Sequence, residues 1–276
     1  SATKEEKILD QREFKSRSDD FNCNSINPAD FKTNTKPRIK NQTLKVLTTN
    51  ICGFKSKTGS LLNIINEQKI DVICISETHS EGDTIPSLKG FVTYHRNRQN
   101  KKAKGGIAML IKKSLEPWVI KLESGLDDNE FFTCKISCFE PEVVLVLNYG
   151  VIENRYTTNE VFNMQTEVFN VVKNYCDEGF DVFWTGDLNI HLGNEGKLRG
   201  NNPKMSQGGK NMLKFIEAEN LHLCNWENVT HTHVDRSGGK SNILDLMITN
   251  AREKVIKFEV DSDLKFTPYR VRKVKN

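Results

Sequence analysis

The chain has 276 residues, within reach of one large domain or two small ones. At 37% hydrophobic and 28% charged it can build a sizeable core without disulfides or structural metals, and no apolar run approaches the length of a membrane span. Forty Lys and Arg against 36 Asp and Glu give +4, a mild excess that hints at an anionic partner and identifies none.

Residues 1–43 are polar and mixed in charge, with no sustained apolar period, and read as a disordered leader or linker. This stretch lacks the apolar h-region of a secretory signal, and the first residue is Ser rather than Met, in keeping with a fragment. From Leu44 the texture changes. Strand-like runs follow at 44–50, 70–77, 90–95, 106–113, 131–137, 142–150, 181–188, 242–249 and 254–260. Helical spacing occupies 58–69, with Ser60 as a candidate N-cap, and again 158–177 and 207–220. In the last of these Met212, Leu213, Phe215 and Ile216 form one face, with Glu217 and Glu219 turned to solvent. Some strands are joined through helices and some directly, which predicts a mixed-sheet α/β sandwich in one domain, 44–276. The seven Cys are scattered without Cys-x-x-Cys, and Cys134 and Cys138 lack partners at zinc spacing, so free thiols in a reducing, intracellular setting are expected.

The polar residues that end the strands carry the functional signal. Asn50, Glu77 and Tyr149 each close an apolar run, as do Asp187 and Asn189 within WTGDLNIH; Asp245 lies inside NILDLMIT. Strand ends on one edge of a sandwich bring distant groups together. Carboxylates and carboxamides without clustered Cys or His favour a hard, oxygen-loving ion such as Mg²⁺ or Mn²⁺. Each residue also has a plain reading: Asn at a strand end as a turn residue, Glu77 as a solvated charge, Asp187 as part of a turn. Asp245, among Ile243, Leu244, Leu246 and Met247, needs a partner if buried, which a structural role would also meet.

Taken in order, these motifs resemble the endonuclease/exonuclease/phosphatase superfamily, and in particular the apurinic-type endonuclease domain that precedes reverse transcriptase in non-LTR retrotransposons. The resemblance covers about 44–260: LTTNICGF with Asn50, ISETH with Glu77, LNYGVIENR with Tyr149 and Arg155, WTGDLNIH with Asp187, Asn189 and His191, Thr232 thirteen residues before Asp245, and ILDLMIT with Asp245. It implies a four-layer α/β sandwich. It also implies Glu77 and Asn50 as ligands of Mg²⁺ or Mn²⁺, and Asp187, Asn189, Tyr149, Asn50 and Asp245 as catalytic groups. Thr232, Arg155 and His191 would contact substrate. The implied activity is nicking of DNA to prime reverse transcription, by a monomeric domain joined to a reverse transcriptase in the parent protein, in the nucleus. A phosphatase or phospholipid-type phosphodiesterase of the same fold, or a non-catalytic relic, are the alternatives.

Two departures stand out. Cys52 occupies a position where many members carry Asp or Asn. The closing Ser-Asp-His motif is absent: Ser262-Asp263-Leu264 either is its degenerate form or is coincidental, the true motif lying beyond Asn276. The basic run KFTPYRVRKVKN favours the second reading, with the final strand missing and this chain weak or inactive. Charge is unevenly placed. Residues 1–43 carry +2 and 265–276 carry +5, so 44–264, with every candidate site residue, carries −3. Within it, RNRQNKKAKGG (96–106) has five Lys and Arg and no acid, a candidate DNA contact or a solvated hairpin.

Overall fold

Two βαβ units build the two halves of the protein. A computed structural model describes residues 43–80, 84–97, 105–125, 129–193, 204–227, 233–234, 241–260 and 268–275; the leader, Thr232 and Ser262–Leu264 lie outside them. In the first half β1 (Thr43–Asn50) leads through α1 (Phe54–Gln68) to β2 (Val72–Ser76), parallel to β1, and β3 (Phe91–Arg96) and β4 (Ile107–Lys112) follow as a hairpin. The second half has β5 (Val119–Ser124), β6 (Glu130–Ile136) and β7 (Val143–Tyr149), then α2 (Thr158–Asp177) crossing to β8 (Asp181–Asp187), parallel to β7. After α3 (Gln207–Ala218) come short β9 (His222–Leu223), β10 (His233–Val234) and β11 (Ser241–Asn242), then β12 (Asp245–Thr249), β13 (Val255–Val260) and β14 (Pro268–Lys275). The sheets run β13-β14-β1-β2-β4-β3 and β5-β6-β7-β8-β12-β9, each with its one parallel pair at the centre.

Alternation in the strands and the helix stripes sort the apolar side chains into three layers of core. Val46, Cys74, Met109, Phe132, Leu145 and Phe183 lie between the sheets. Leu47, Ile73, Ile75 and Leu110 face α1 through Leu61, Ile64 and Ile65. Val144, Val146 and Trp184 face α2 and α3 through Val168, Val172, Met212 and Ile216. The order helix, sheet, sheet, helices is the expected four-layer mixed sandwich. Thr48 and Thr185 share a buried hydroxyl hydrogen bond of 2.9 Å across the middle.

Four expectations change. α1 begins at Phe54, not near Ser60: Gly53, with φ 105°, stands at its N-cap, and its first two turns are masked in the sequence by polar residues and Gly59. Phe54 lies two turns before Leu61 on the buried face. β5 is an additional edge strand with an irregular, half-exposed pattern. The basic run 265–276, expected to end without a strand, contains one. Residues 268–275 form β14, paired antiparallel with β1 and β13, so the place expected to lack a final strand is filled. The alternation of Tyr269 and Val271 with Arg270 and Arg272 is strand periodicity that the basic count conceals. Glu219, lastly, is not simply solvated but ties α3 to α2 through Lys173 at 2.7 Å. α2 occupies the expected span, opened by a Thr157–Glu160 capping box. No helix among the described residues is long and apolar enough to cross a membrane.

Candidate active site

Topology gathers the candidates on one edge. β1, β2, β7 and β8 all deliver their C-terminal ends there, and antiparallel β12 delivers its N-terminal end, so Asn50, Glu77, Tyr149, Asp187 and Asp245 become neighbours. Two side-chain hydrogen bonds join the sheets across this mouth. Asn50 Nδ2 donates to Asp187 Oδ2 at 2.8 Å, and Tyr149 OH donates to Glu77 Oε1 at 2.9 Å. Asp187 Oδ1 accepts from the main-chain N–H of Asn189 at 3.1 Å, so both its oxygens act as acceptors. Asp245 pairs in register with Asp187 on the adjacent strand and is buried. Its strand is clamped by buried Asn225, whose carboxamide donates to Asp245 O (3.1 Å) and accepts from Met247 N (2.9 Å).

The turn after β8 is made rigid by close backbone approach. Gly186 has φ 139°, and a Cβ there would stand 1.9 Å from Asn148 O. Gly150 N donates to Asp187 O at 2.8 Å, and Asn189 Nδ2 returns a 2.8 Å bond to Gly150 O. Left-handed backbone is concentrated here: Cys52 (φ 47°), Glu77 (53°), His79 (50°) and Asn189 (51°) are all non-glycine. Such residues cost about 1–3 kcal/mol each and cluster where geometry serves function. Burial pushes the Tyr149 phenol far above its ordinary range, and the charges of Glu77 and Asp187 add to the shift, while a hydrogen bond from Asn189 opposes it. Tyr149 therefore stays a donor at neutral pH and holds Glu77 in place.

His191 follows two residues after Asn189. Its main chain is tied to Ser206, which caps α3: Ser206 N donates to His191 O at 2.9 Å and Ser206 Oγ accepts from Gly209 N at 3.1 Å. Arg155 sits in the turn Glu153–Arg155 with an exposed side chain, and among the described residues no hydrogen bond joins it to the mouth. Glu153 instead caps α3 at Gly208 N (2.9 Å). Residues 98–104 of the basic run lie outside the described residues. Its stem is anchored beside Glu77: Thr78 N and His79 N donate to Gly106 O and Gly105 O at 3.0 and 2.9 Å. A cleft of about 510 Å³, lined by Gly53, Lys55, Ser56, Thr78, His79 and Ile85 among others, opens next to it.

The sequence pattern of the endonuclease/exonuclease/phosphatase family matches residues 47–263, spanning this whole edge. The chain belongs to that family. As a family member it is 41% identical over 73 residues to a probable RNA-directed DNA polymerase from transposon X-element of Drosophila melanogaster; the match covers 26% of this chain and spans 8% of that protein. Among solved structures, its fold is similar to an AP endonuclease from Leishmania major, with TM-score 0.70 at 15% identity over 85% of this chain and 88% of that one. It is also similar to the endonuclease domain of TRAS1, a telomere-specific non-LTR retrotransposon, with TM-score 0.65 at 16% identity over 84% and 98%. A 3′ phosphatase from Neisseria bound to a product DNA hairpin gives TM-score 0.64 at 13% identity over 82% and 98%.

Sequence reasoning for this family member missed His79 and read Cys52 only as a departure that weakens metal or substrate contacts. His79 Nε2 stands 3.3 Å from Glu77 Oε2, and donor atoms of Cys52, Glu77 and His79 all lie within 4.8 Å of one another. A thiol and an imidazole thus stand beside Glu77. The SETH motif, with His two residues after Glu, held the signal.

Proposed function

We propose that the chain is a divalent-metal-dependent phosphodiesterase, the DNA-nicking endonuclease domain, over 44–276, of a retrotransposon protein that also carries a reverse transcriptase. It acts as a monomeric domain on nuclear DNA. The observation that carries this reading is the pair of cross-sheet bonds at the mouth, Asn50 to Asp187 and Tyr149 to Glu77, which fix two carboxylates at one strand-end edge.

Glu77 suits a cation: Tyr149 orients one oxygen, and the carboxylate remains partly exposed to solvent, at 22%. Glu77, with Asn50 beside it, would hold Mg²⁺ or Mn²⁺. Bound there, the ion supplies charge neutralisation at the phosphate and steadies the leaving oxygen. Asp187, its carboxylate aimed by Asn50 and Asn189, orients and deprotonates the attacking water. Asn189, Asn50 and the protonated Tyr149 position the phosphate and stabilise charge as it develops on it. By the family resemblance Asp245 would orient an acid/base histidine of the closing motif, and the sequence has Leu264 rather than His after Ser262-Asp263. This chain therefore binds its hydrolytic cation and DNA weakly and cleaves slowly. The fold likenesses and the transposon relative support nucleic acid as substrate, as does the basic composition of the run 96–106, whose closing Gly105–Gly106 is bonded to Thr78 and His79.

Cation-dependent nicking of supercoiled plasmid, measured beside phosphate release from soluble phosphomonoesters, tests the assignment. Slow nicking with no phosphate release is expected. The reverse pattern supports a phosphatase, and robust nicking refutes the predicted weakness.

A further inference from the structure

Two short turns, one after β1 and one after β2, run side by side and are stitched together by main-chain bonds. Ile51, Gly53 and Phe54 donate in succession to Ser76, Glu77 and Thr78 at 3.0, 2.8 and 2.9 Å. On the far side Thr78 and His79 are pinned to Gly106 and Gly105. Within this frame Cys52, Glu77 and His79 all adopt left-handed backbone, with φ of 47°, 53° and 50°. Three L-residues in that region on two adjoining turns are costly unless the geometry is used. What the geometry achieves is convergence: one sulfur, one carboxylate oxygen and one imidazole nitrogen lie within 4.8 Å of one another.

We propose that Cys52, Glu77 and His79 form a three-ligand site for a thiophilic divalent ion of the Zn²⁺ class, with the fourth position open to solvent. The spacing fits. Zn–N and Zn–O bonds of about 2.0–2.2 Å imply a tetrahedral edge of about 3.3–3.6 Å, and His79 Nε2 lies 3.3 Å from Glu77 Oε2. Cys52 is exposed and the Glu77 side chain is 22% exposed, so the ion has an entry path past them, while His79 Nε2 itself is buried. Tyr149 OH, donating to Glu77 Oε1 at 2.9 Å, supplies the outer hydrogen bond that orients a ligating carboxylate. A mixed S, N and O donor set selects Zn²⁺ or Co²⁺ over Mg²⁺, which takes oxygen ligands and keeps its waters. On binding, the Cys52 thiol loses its proton to solvent as the sulfur–metal bond forms, and His79 coordinates as the neutral imidazole.

The site shares Glu77 with the cation position of the proposed hydrolysis, but its test needs no turnover. Co²⁺ is titrated into the full chain and followed by absorption. The expected result is a one-to-one complex with a thiolate-to-cobalt charge-transfer band and the intense visible bands of tetrahedral Co²⁺. Zn²⁺ bleaches them and excess Mg²⁺ does not. Cys52→Ser abolishes the charge-transfer band, and His79→Ala weakens Co²⁺ binding about tenfold or more. Each variant is checked for an unchanged unfolding transition. Cys52→Asp gives a second reading, losing the charge-transfer band and narrowing the preference for Zn²⁺ over Mg²⁺. No charge-transfer band in the parent chain, a band that survives Cys52→Ser, or displacement of Co²⁺ by an equal concentration of Mg²⁺ overturns the assignment. Plasmid nicking is scored separately, so failure of this site leaves the hydrolytic reading standing, and the converse.

Discussion

Replacing Gly186 by alanine tests how tightly the strand that delivers Asp187 is held. The residue has φ 139°, and its added Cβ would stand 1.9 Å from the carbonyl oxygen of Asn148 on β7. Ordinary contact begins near 3.4 Å, so the two central strands must part by about 1.5 Å or β8 must rebuild its end. Left-handed backbone at a non-glycine residue costs about 1–3 kcal/mol, and overpacking adds about 1–3 kcal/mol. For a domain of this size each kcal/mol lowers Tm by about 2–4 °C, so Gly186→Ala should melt about 5–20 °C below the parent. Gly59→Ala is the matched control. Gly59 lies exposed within α1, and its Cβ would meet nothing within 4 Å. There the substitution should stabilise by about 0.4–1 kcal/mol, because it restricts the unfolded chain without native strain. Thermal unfolding by circular dichroism reads both. A Gly186→Ala variant melting within about 2 °C of the parent would refute the reasoning, as would an equal loss at Gly59.

Further predictions address pH, DNA and the strand that carries Asp245. Burial raises the thiols of Cys74, Cys134 and Cys224, the last two to about 12, and burial with the neighbouring charges of Glu77 and Asp187 raises the Tyr149 phenol. These groups hold their protons in the folded state beyond the ordinary values of 9.0 and 10.0, so stability is full below pH 9.0 and lost as pH rises above it. Urea midpoints should fall from there, and Tyr149→Phe should remove the part that begins near 10.0; a flat profile to about pH 11 contradicts this. Neutralising Arg96, Arg98, Lys101, Lys102 and Lys104 should reduce the salt slope of DNA binding by up to about 4–5, and an unchanged slope removes the run from the footprint. Asn225→Ala strips partners from Asp245 O and Met247 N in a fully buried place. It should cost about 2–5 kcal/mol by denaturant unfolding, and a loss under about 1 kcal/mol argues against the clamp.

Much of this site is readable in one dimension, because Asn50, Glu77, Tyr149 and Asp187 each interrupt an apolar run where a strand must end. Their meeting is also readable, since parallel strands deliver C-terminal ends to one edge. The association of Cys52 with His79 is not. It depends on the pairing of β1 with β2 and on left-handed turns at non-glycine residues, which no residue-type pattern encodes. α1's first turns were hidden because only Phe54 among them is buried apolar, the remainder being polar or Gly59. β14 was hidden because four Arg and Lys residues within Pro268–Lys275 outweigh its alternation in any composition window. Arg155 is a different case: the motif proposes it as a substrate contact, and the turn Glu153–Arg155 leaves its side chain exposed while Glu153 serves α3, so its part rests on the motif alone.

The central claim is that the strand-end edge around Asp187 hydrolyses a phosphodiester with a divalent cation at Glu77. Single-turnover nicking of supercoiled DNA by the purified chain, with and without the cation, compared with Asp187→Ala, tests it most directly. Slow nicking that requires the cation and disappears in Asp187→Ala is the predicted result. Nicking of the same rate in Asp187→Ala, or in the absence of any divalent ion, would contradict the account.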